Sequence, residues 1–249
     1  MANAPGMEMN STPLPKTWEN LFRQALKLID NIERHGTQNL FWTFGGGTVL
    51  MLRHGHRHSK DIDIFVPDPQ ALGFVTPRLS DTAGNITSKY TEAAEYVKLF
   101  LDDGEIDFVA APNLTENSYE IRTVLGREVK VETSAEIIAK KFWHRGDQLA
   151  ARDIFDFALV AEREPGSLHQ AGPFIVRHAD AITRQLTERA LPLKKQFEAI
   201  DTLNYHPNFE DACEILRSSL DTLLARLDRK EKQRRKGIQA PRPPGEGLG

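Results

Sequence analysis

Apolar positions 18, 21, 22, 25, 26, 28, 29 and 32 recur at three- and four-residue spacing, which predicts a helix over 18–34 with one broad apolar face. His35 and Gly36 end it. A short apolar run over 40–44 stops at Gly45, Gly46 and Gly47, and 48–53 reads as one or two helical turns opening straight after the glycines. Residues 61–66 alternate Asp, Ile, Asp, Ile, Phe, Val, a strand pattern that sets Asp61 and Asp63 on one face. Pro67 and Pro69 terminate it. Further strands are expected over 96–101 and 106–110, around a turn at Asp102, Asp103 and Gly104. A hairpin is expected from 119–125 and 128–131 around Gly126 and Arg127. Over 72–85 the pattern is weak, with a short helix at 79–83.

From position 134 the period becomes helical. Ser134 is placed to cap a helix over 135–144, and further helices are expected over 150–162, 174–190, 193–203 and 209–232. The chain therefore reads as α+β, a short mixed sheet with helices followed by an all-helical half. The expected divisions are a flexible leader over 1–15, an α/β core over 16–132, a helical domain over 133–236 and a disordered tail over 237–249.

Composition changes this picture little. The chain has 249 residues, 40% of them hydrophobic and 27% charged, which suits a globular protein. No run of 18 apolar residues exists and the start lacks the layout of a secretory signal, so the expectation is a cytoplasmic protein without a membrane partner. A single cysteine, Cys213, excludes an internal disulfide framework and a Cys-based zinc cluster. The net charge of −3 is uneven: 226–249 holds eight Lys/Arg against three Asp/Glu, and the remainder is acidic. A basic end of this kind suits nucleic-acid phosphates, although a solvated tail is the simpler reading.

The chemistry gathers at 44–63. Gly46 and Gly47 let the backbone approach a ligand at the start of a helix, where free N–H groups favour a triphosphate. Thr48 and Ser59 offer hydroxyls to the same phosphates. Asp61 and Asp63, one residue apart on a strand, suit a pair of Mg²⁺ ions. A two-metal site calls for a third carboxylate, and Asp107 stands inside the apolar strand Glu105-Ile106-Asp107-Phe108-Val109. Such a carboxylate is costly to bury unless it is paired or bound to a cation.

These residues resemble the signature of the DNA polymerase β-like nucleotidyltransferases and, within them, the AbiEii/AbiGii toxin family. Gly46-Gly47-Thr48 and Arg57-His58-Ser59-Lys60-Asp61-Ile62-Asp63 match the first motif, and Asp107 matches the second. The third, a helix with a phosphate-facing Lys, falls on Ala139-Lys140-Lys141-Phe142, with Lys141 the expected residue and Lys140 the alternative. The fourth falls on Arg152-Asp153-Ile154-Phe155-Asp156, with Arg152 where some members carry Lys. The resemblance spans about 40–160. It implies a polymerase β-like core and transfer of a nucleoside monophosphate from an NTP, with two Mg²⁺, to an acceptor, releasing pyrophosphate. It also implies a toxin with a cognate antitoxin, acting on the acceptor end of tRNA or in phage defence. Asp61 and Asp63 would bind both metals, and Asp107 would bind the catalytic one and help deprotonate the acceptor. Gly46, Gly47, Thr48 and Ser59 would hold the triphosphate, and Arg57 would contact phosphates. Lys141 would neutralise phosphate charge, with Asp153 orienting Lys141 or the nucleotide.

Other readings stand beside these. A mildly acidic body leaves a protein or small-molecule hydroxyl open as acceptor, and a non-catalytic nucleotide-binding module is the remaining alternative. His54, His56 and His58 read as solvated loop residues rather than zinc ligands. Asp153 reads equally as a site residue and as part of a solvated helix face, whereas for Asp156 the structural reading leads, a pair with Arg152 on the same side of the helix.

Overall fold

A computed structural model describes residues 16–238. The leader expected over 1–15 lies outside the described residues, as does the tail expected over 237–249 apart from Gly237 and Ile238, which end a helix. The chain divides into two compact units. The first comprises 1–112, 121–131 and 202–204, and the second 113–120, 132–201 and 205–249.

The first unit is built on a mixed sheet of seven strands: β1 (Thr43–Gly45), β2 (Ile62–Val66), β3 (Tyr90–Ala93), β4 (Tyr96–Leu101), β5 (Gly104–Ala110), β6 (Tyr119–Val124) and β7 (Arg127–Glu132). Their order is β3-β4-β5-β2-β1-β7-β6, and β1 with β7 and β2 with β5 run parallel. One face is apolar: Ile62, Ile64, Val66, Ile106 and Phe108 are buried, at alternate positions as the pleat requires. Helix α1 (Thr17–His35) covers that face with Leu21, Phe22, Leu28 and Ile29. Phe22 lies 4.6 Å from the Phe44 ring, centroid to centroid, and burying such a ring contributes about 1.5–3 kcal/mol. The opposite face of β2 and β5 carries Asp63 and Asp107.

Helix α2 (Gly46–His54) opens directly from β1 and closes at Gly55, whose left-handed φ of 58° lets its N–H reach the Met51 carbonyl at 2.7 Å. Asp61 lies just outside its expected strand, which begins at Ile62. Between β2 and β3 the weak pattern resolves into a 3₁₀ segment and helix α3 (Asp81–Ile86), capped by the Ser80 hydroxyl on the Ala83 N–H. The β6–β7 connection is Leu125-Gly126 rather than Gly126-Arg127. Both residues take positive φ (48° and 84°), the conformation a two-residue hairpin demands.

The second unit is helical: α4 (Ser134–Arg145), α5 (Ala151–Arg163), α6 (Leu168–Val176), α7 (Ala179–Glu188), α8 (Ala190–Glu198) and α9 (Phe209–Ile238). The cap of α4 is Thr133, whose hydroxyl accepts the Glu136 N–H, whereas Ser134 donates to Glu164. The helix expected over 174–190 is broken at His178, which leaves helical geometry where it packs against Gly146. A Cβ on Gly146 would lie 2.7 Å from the His178 Cβ. The helix expected over 193–203 stops at Glu198 because Thr202, Leu203 and Asn204 belong to the first unit. There the N–H groups of Leu203 and Asn204 donate to the carbonyls of His56 and Gly55, each at 2.9 Å. That clasp holds the loop leading into β2, a long-range contact that no local pattern announces.

Candidate active site

Strand register assembles the polar face of the first unit. Gly45 pairs with Asp63, Asp63 with Asp107, and Asp107 with Lys98, across four adjacent strands. Directly opposed residues present their side chains on the same face, so two carboxylates and an ammonium share one row. Like charges directly opposite are destabilising. Lys98 Nζ lies 3.0 Å from Asp107 Oδ2 and also pairs with Glu105. The other Asp107 oxygen, Oδ1, is buried without a hydrogen-bond partner.

The electrostatics follow from this placement. Burial and the neighbouring Asp63 push the Asp107 carboxyl up to about 6, and the Lys98 ion pair offsets only part of that rise. Burial works against the charge on Lys98, yet its bonds to Glu105 and Asp107 outweigh it and hold the ammonium above its ordinary range.

The glycine run forms the wall of this site. Gly46 has φ +71°, and a Cβ there would overlap the Asp63 carboxylate. Only glycine provides both the left-handed backbone and the space. At Gly47 a Cβ would lie 2.9 Å from both Arg57 Nη2 and Ser59 Oγ, so these two side chains crowd the first turn of α2. The N–H groups of that turn are the ones a helix cannot satisfy within itself, and they favour an anion.

Two expected site residues are used differently. Thr48 is fully buried, and its hydroxyl donates to the Asp61 carbonyl at 2.6 Å and lies 3.1 Å from Ser59 Oγ. It clamps α2 to the chain entering β2 instead of facing open space. Asp61 Oδ1 accepts the Glu105 N–H at 3.1 Å, so the carboxylate is turned toward the start of β5. Among the described residues, no group of three or more His, Cys, Asp or Glu is arranged as a metal site. The carboxylates meet as the pair Asp63–Asp107, with Asp61 held beside them through β5. Arg57 is 4% exposed and donates through Nη1 to the His58 carbonyl.

Lys98 is a site residue that the sequence reading missed. The signal was available: counting outward from the two-residue turn at Asp102 and Asp103 places 98 opposite 107.

In the second unit Lys141 and Asp153 come together. Lys141 Nζ lies 2.9 Å from Asp153 Oδ1 and 3.1 Å from Asp156 Oδ2, and Arg145 also reaches Asp153 at 3.2 Å. Asp153 Oδ2 accepts the Ala150 N–H and so caps α5. Burial alone would raise Asp153, but Lys141 and Arg145 outweigh it and hold the carboxyl below the usual range. Lys140, the alternative, is 3% exposed and paired with Glu132 and Glu136.

A mixed sheet carrying opposed carboxylates beside a glycine-opened helix is the architecture of a nucleotidyltransferase. Residues 32–236 match the family model described as the nucleotidyl transferase AbiEii toxin of a type IV toxin–antitoxin system. The chain belongs to that family and is a nucleotidyltransferase of the toxin class. Among solved structures, JHP933 from Helicobacter pylori is similar with a TM-score of 0.50 and 15% identity, over 92% of this chain and 100% of that one. This likeness shows the fold. The nucleotidyltransferase toxin MenT4 from Mycobacterium tuberculosis H37Rv is similar with a TM-score of 0.47 and 15% identity, over 82% of this chain and 83% of that one. No curated protein matches the sequence. Among the described residues no helix is long and apolar enough to cross a membrane.

Proposed function

We propose that the protein transfers a nucleoside monophosphate from an NTP to an RNA acceptor, the acceptor end of tRNA, in a Mg²⁺-dependent reaction in the cytoplasm that its antitoxin counteracts. The observation that carries this reading is the Asp63–Asp107 pair: two opposed carboxylates, one with a buried oxygen lacking any donor. That donor set suits a hard divalent cation. Asp63 and Asp107 would hold it, with Asp61 as the third carboxylate of a two-ion arrangement. The cation supplies charge neutralisation for the triphosphate and the attacking oxygen.

The chain's own residues do the rest. N–H groups at Gly46 and Gly47 receive the triphosphate at the start of α2, and Ser59 donates its hydroxyl to it. Arg57 supplies positive charge next to that turn, and Thr48 keeps the turn in place. The acceptor hydroxyl attacks the α-phosphorus, the bond to the β-phosphate oxygen breaks, and pyrophosphate leaves. Asp107 accepts the hydroxyl proton as general base. For Lys141 we propose neutralisation of phosphate charge, with Asp153 holding the ammonium. The core over 16–132 is proposed to carry the chemistry and 133–236 to serve acceptor binding.

The test is incubation with Mg²⁺, total tRNA and each α-labelled NTP, with Asp63→Ala as control. Label on tRNA from the native protein alone is the expected result. Label on protein, or on no RNA with any nucleotide, overturns the tRNA assignment.

A further inference from the structure

Helix α9 runs 30 residues, and the side chains described beyond Leu223 are exposed or half-buried. Phe209, Ala212, Cys213, Leu216, Leu220 and Leu223 are buried at helical spacing, and Leu223 is the last of them. The helix continues from there to Ile238, about 22 Å at 1.5 Å per residue. Over 226–236 the sequence carries seven Lys/Arg and two Asp/Glu, a balance of +5, whereas the rest of the chain balances at −8. Arg229, Lys230 and Lys232 are exposed and Arg226 is half-buried. None of the four makes an ion pair among the described residues. Arg226 and Lys230 stand four apart, a like-charge spacing that weakens an isolated helix.

A polar helical segment with this charge density is stabilised by a partner of opposite sign. The pattern decides which kind. A membrane surface needs an apolar face opposite the cations, and a protein groove needs apolar anchors over successive turns. After Leu224 and Leu227 no large apolar residue follows before Ile238. Cations spread around the helix, without anchors, match the continuous negative charge of a phosphate backbone. We infer that residues 226–236 of α9 form an arm that binds the phosphate backbone of RNA. The choice of RNA over DNA rests on the tRNA reading above.

The test uses the full-length protein and fluorescently labelled total tRNA, with anisotropy measured at several salt concentrations. One variant combines Arg226→Gln, Arg229→Gln, Lys230→Gln and Lys232→Gln. A control of equal net charge combines Lys16→Gln, Arg34→Gln, Lys89→Gln and Lys195→Gln. The arm variant should bind tRNA at least about tenfold more weakly. Its log–log salt slope should fall by about three, because each phosphate neutralised by a cation adds roughly 0.7–0.9 to that slope. The control should keep the native slope. Equal affinity and slope in native and arm variant overturn the inference, as does an equal weakening in arm variant and control. Loss of binding to an acidic protein partner, with tRNA binding intact, also overturns it. NTP binding to the arm variant is expected at the native level. A native protein that binds tRNA through the arm but labels none of it refutes the proposed acceptor and leaves the arm standing.

Discussion

Two pairs of acids, one half-buried and one buried, are treated in opposite ways by the two units. In the first, Asp107 faces Asp63 across parallel strands and shares the cation Lys98 with Glu105. Its carboxyl is pushed up to about 6. In the second, Asp153 and Asp156 both contact Lys141, and Arg145 adds a further cation to Asp153, whose carboxyl is held low. The residue types are the same and the electrostatic outcomes are opposed. A carboxyl raised by burial and a like-charged neighbour is poised for a cation, whereas one paired with the chain's own ammonium and guanidinium groups is tied in place and held charged.

The largest expected difference is in turnover. Asp63→Ala should lower nucleotidyl transfer by roughly 10³-fold or more, the scale seen when preorganised charge stabilisation is removed. Its thermal midpoint without metal should stay level or rise, because a repulsive neighbour of Asp107 is gone. Transfer assays and calorimetry on the same preparation check both halves. An active variant would remove the carboxylate pair from the mechanism.

In the second unit the order reverses, and stability is hit first. Lys141→Met leaves two buried acids without their shared ammonium, a loss of roughly 3–5 kcal/mol. For a chain of this size that corresponds to a fall of about 10 °C in Tm. A thermal scan showing no fall would mean that the cluster is not the tie described above, and would leave phosphate contact as the reason for Lys141.

The pH dependence sharpens the same contrast. Asp107 has a folded pKa above its unfolded value, so the stability it contributes is present below about 4 and is lost as pH rises through about 6. Removing the charge should therefore stabilise the metal-free protein near neutrality. Asp107→Asn is expected to gain about 2 kcal/mol at pH 7.5 and almost nothing at pH 4. Asp153 has the opposite sign: its contribution is present above the ordinary carboxylate range and is lost as pH falls through its depressed pKa. Asp153→Asn should destabilise at pH 7.5 and lose that effect in acid. Chemical denaturation at the two pH values measures both, and parallel behaviour of the two variants would break the comparison.

The sequence shows the first site better than the second, for a physical reason. Glycines before a helix and alternating Asp–Ile on a strand are local signals that single out Gly46 and Asp63, and the fold sets these two side by side. The tie of Lys141 to Asp153 joins two helices, and only the family resemblance singled it out. The hydroxyl of Thr48 and the carboxylate of Asp61 were legible as polar groups near the site. Their bonds to the Asp61 carbonyl and the Glu105 N–H depend on the packing of α2 and β5. The clasp of Thr202, Leu203 and Asn204 on the loop before β2 spans some 145 positions and has no local trace.

Lys98 offers the smallest and most discriminating effect. Its ammonium sits against Asp107 where positive charge is in demand, and it is itself held charged by Glu105 and Asp107. It therefore both relieves the carboxylate pair and competes with a divalent ion for it. Lys98→Met removes the competitor while keeping the length of the apolar stem. The partly exposed position makes the electrostatic term modest, so Mg²⁺ or Mn²⁺ should bind the variant about three- to tenfold more tightly by titration calorimetry. The metal-free variant should also melt lower, since Asp63 and Asp107 then face each other without the ammonium. Unchanged metal affinity together with a lower melting point would make Lys98 a plain surface ion pair, and the first unit's carboxylates would then resemble those of the second.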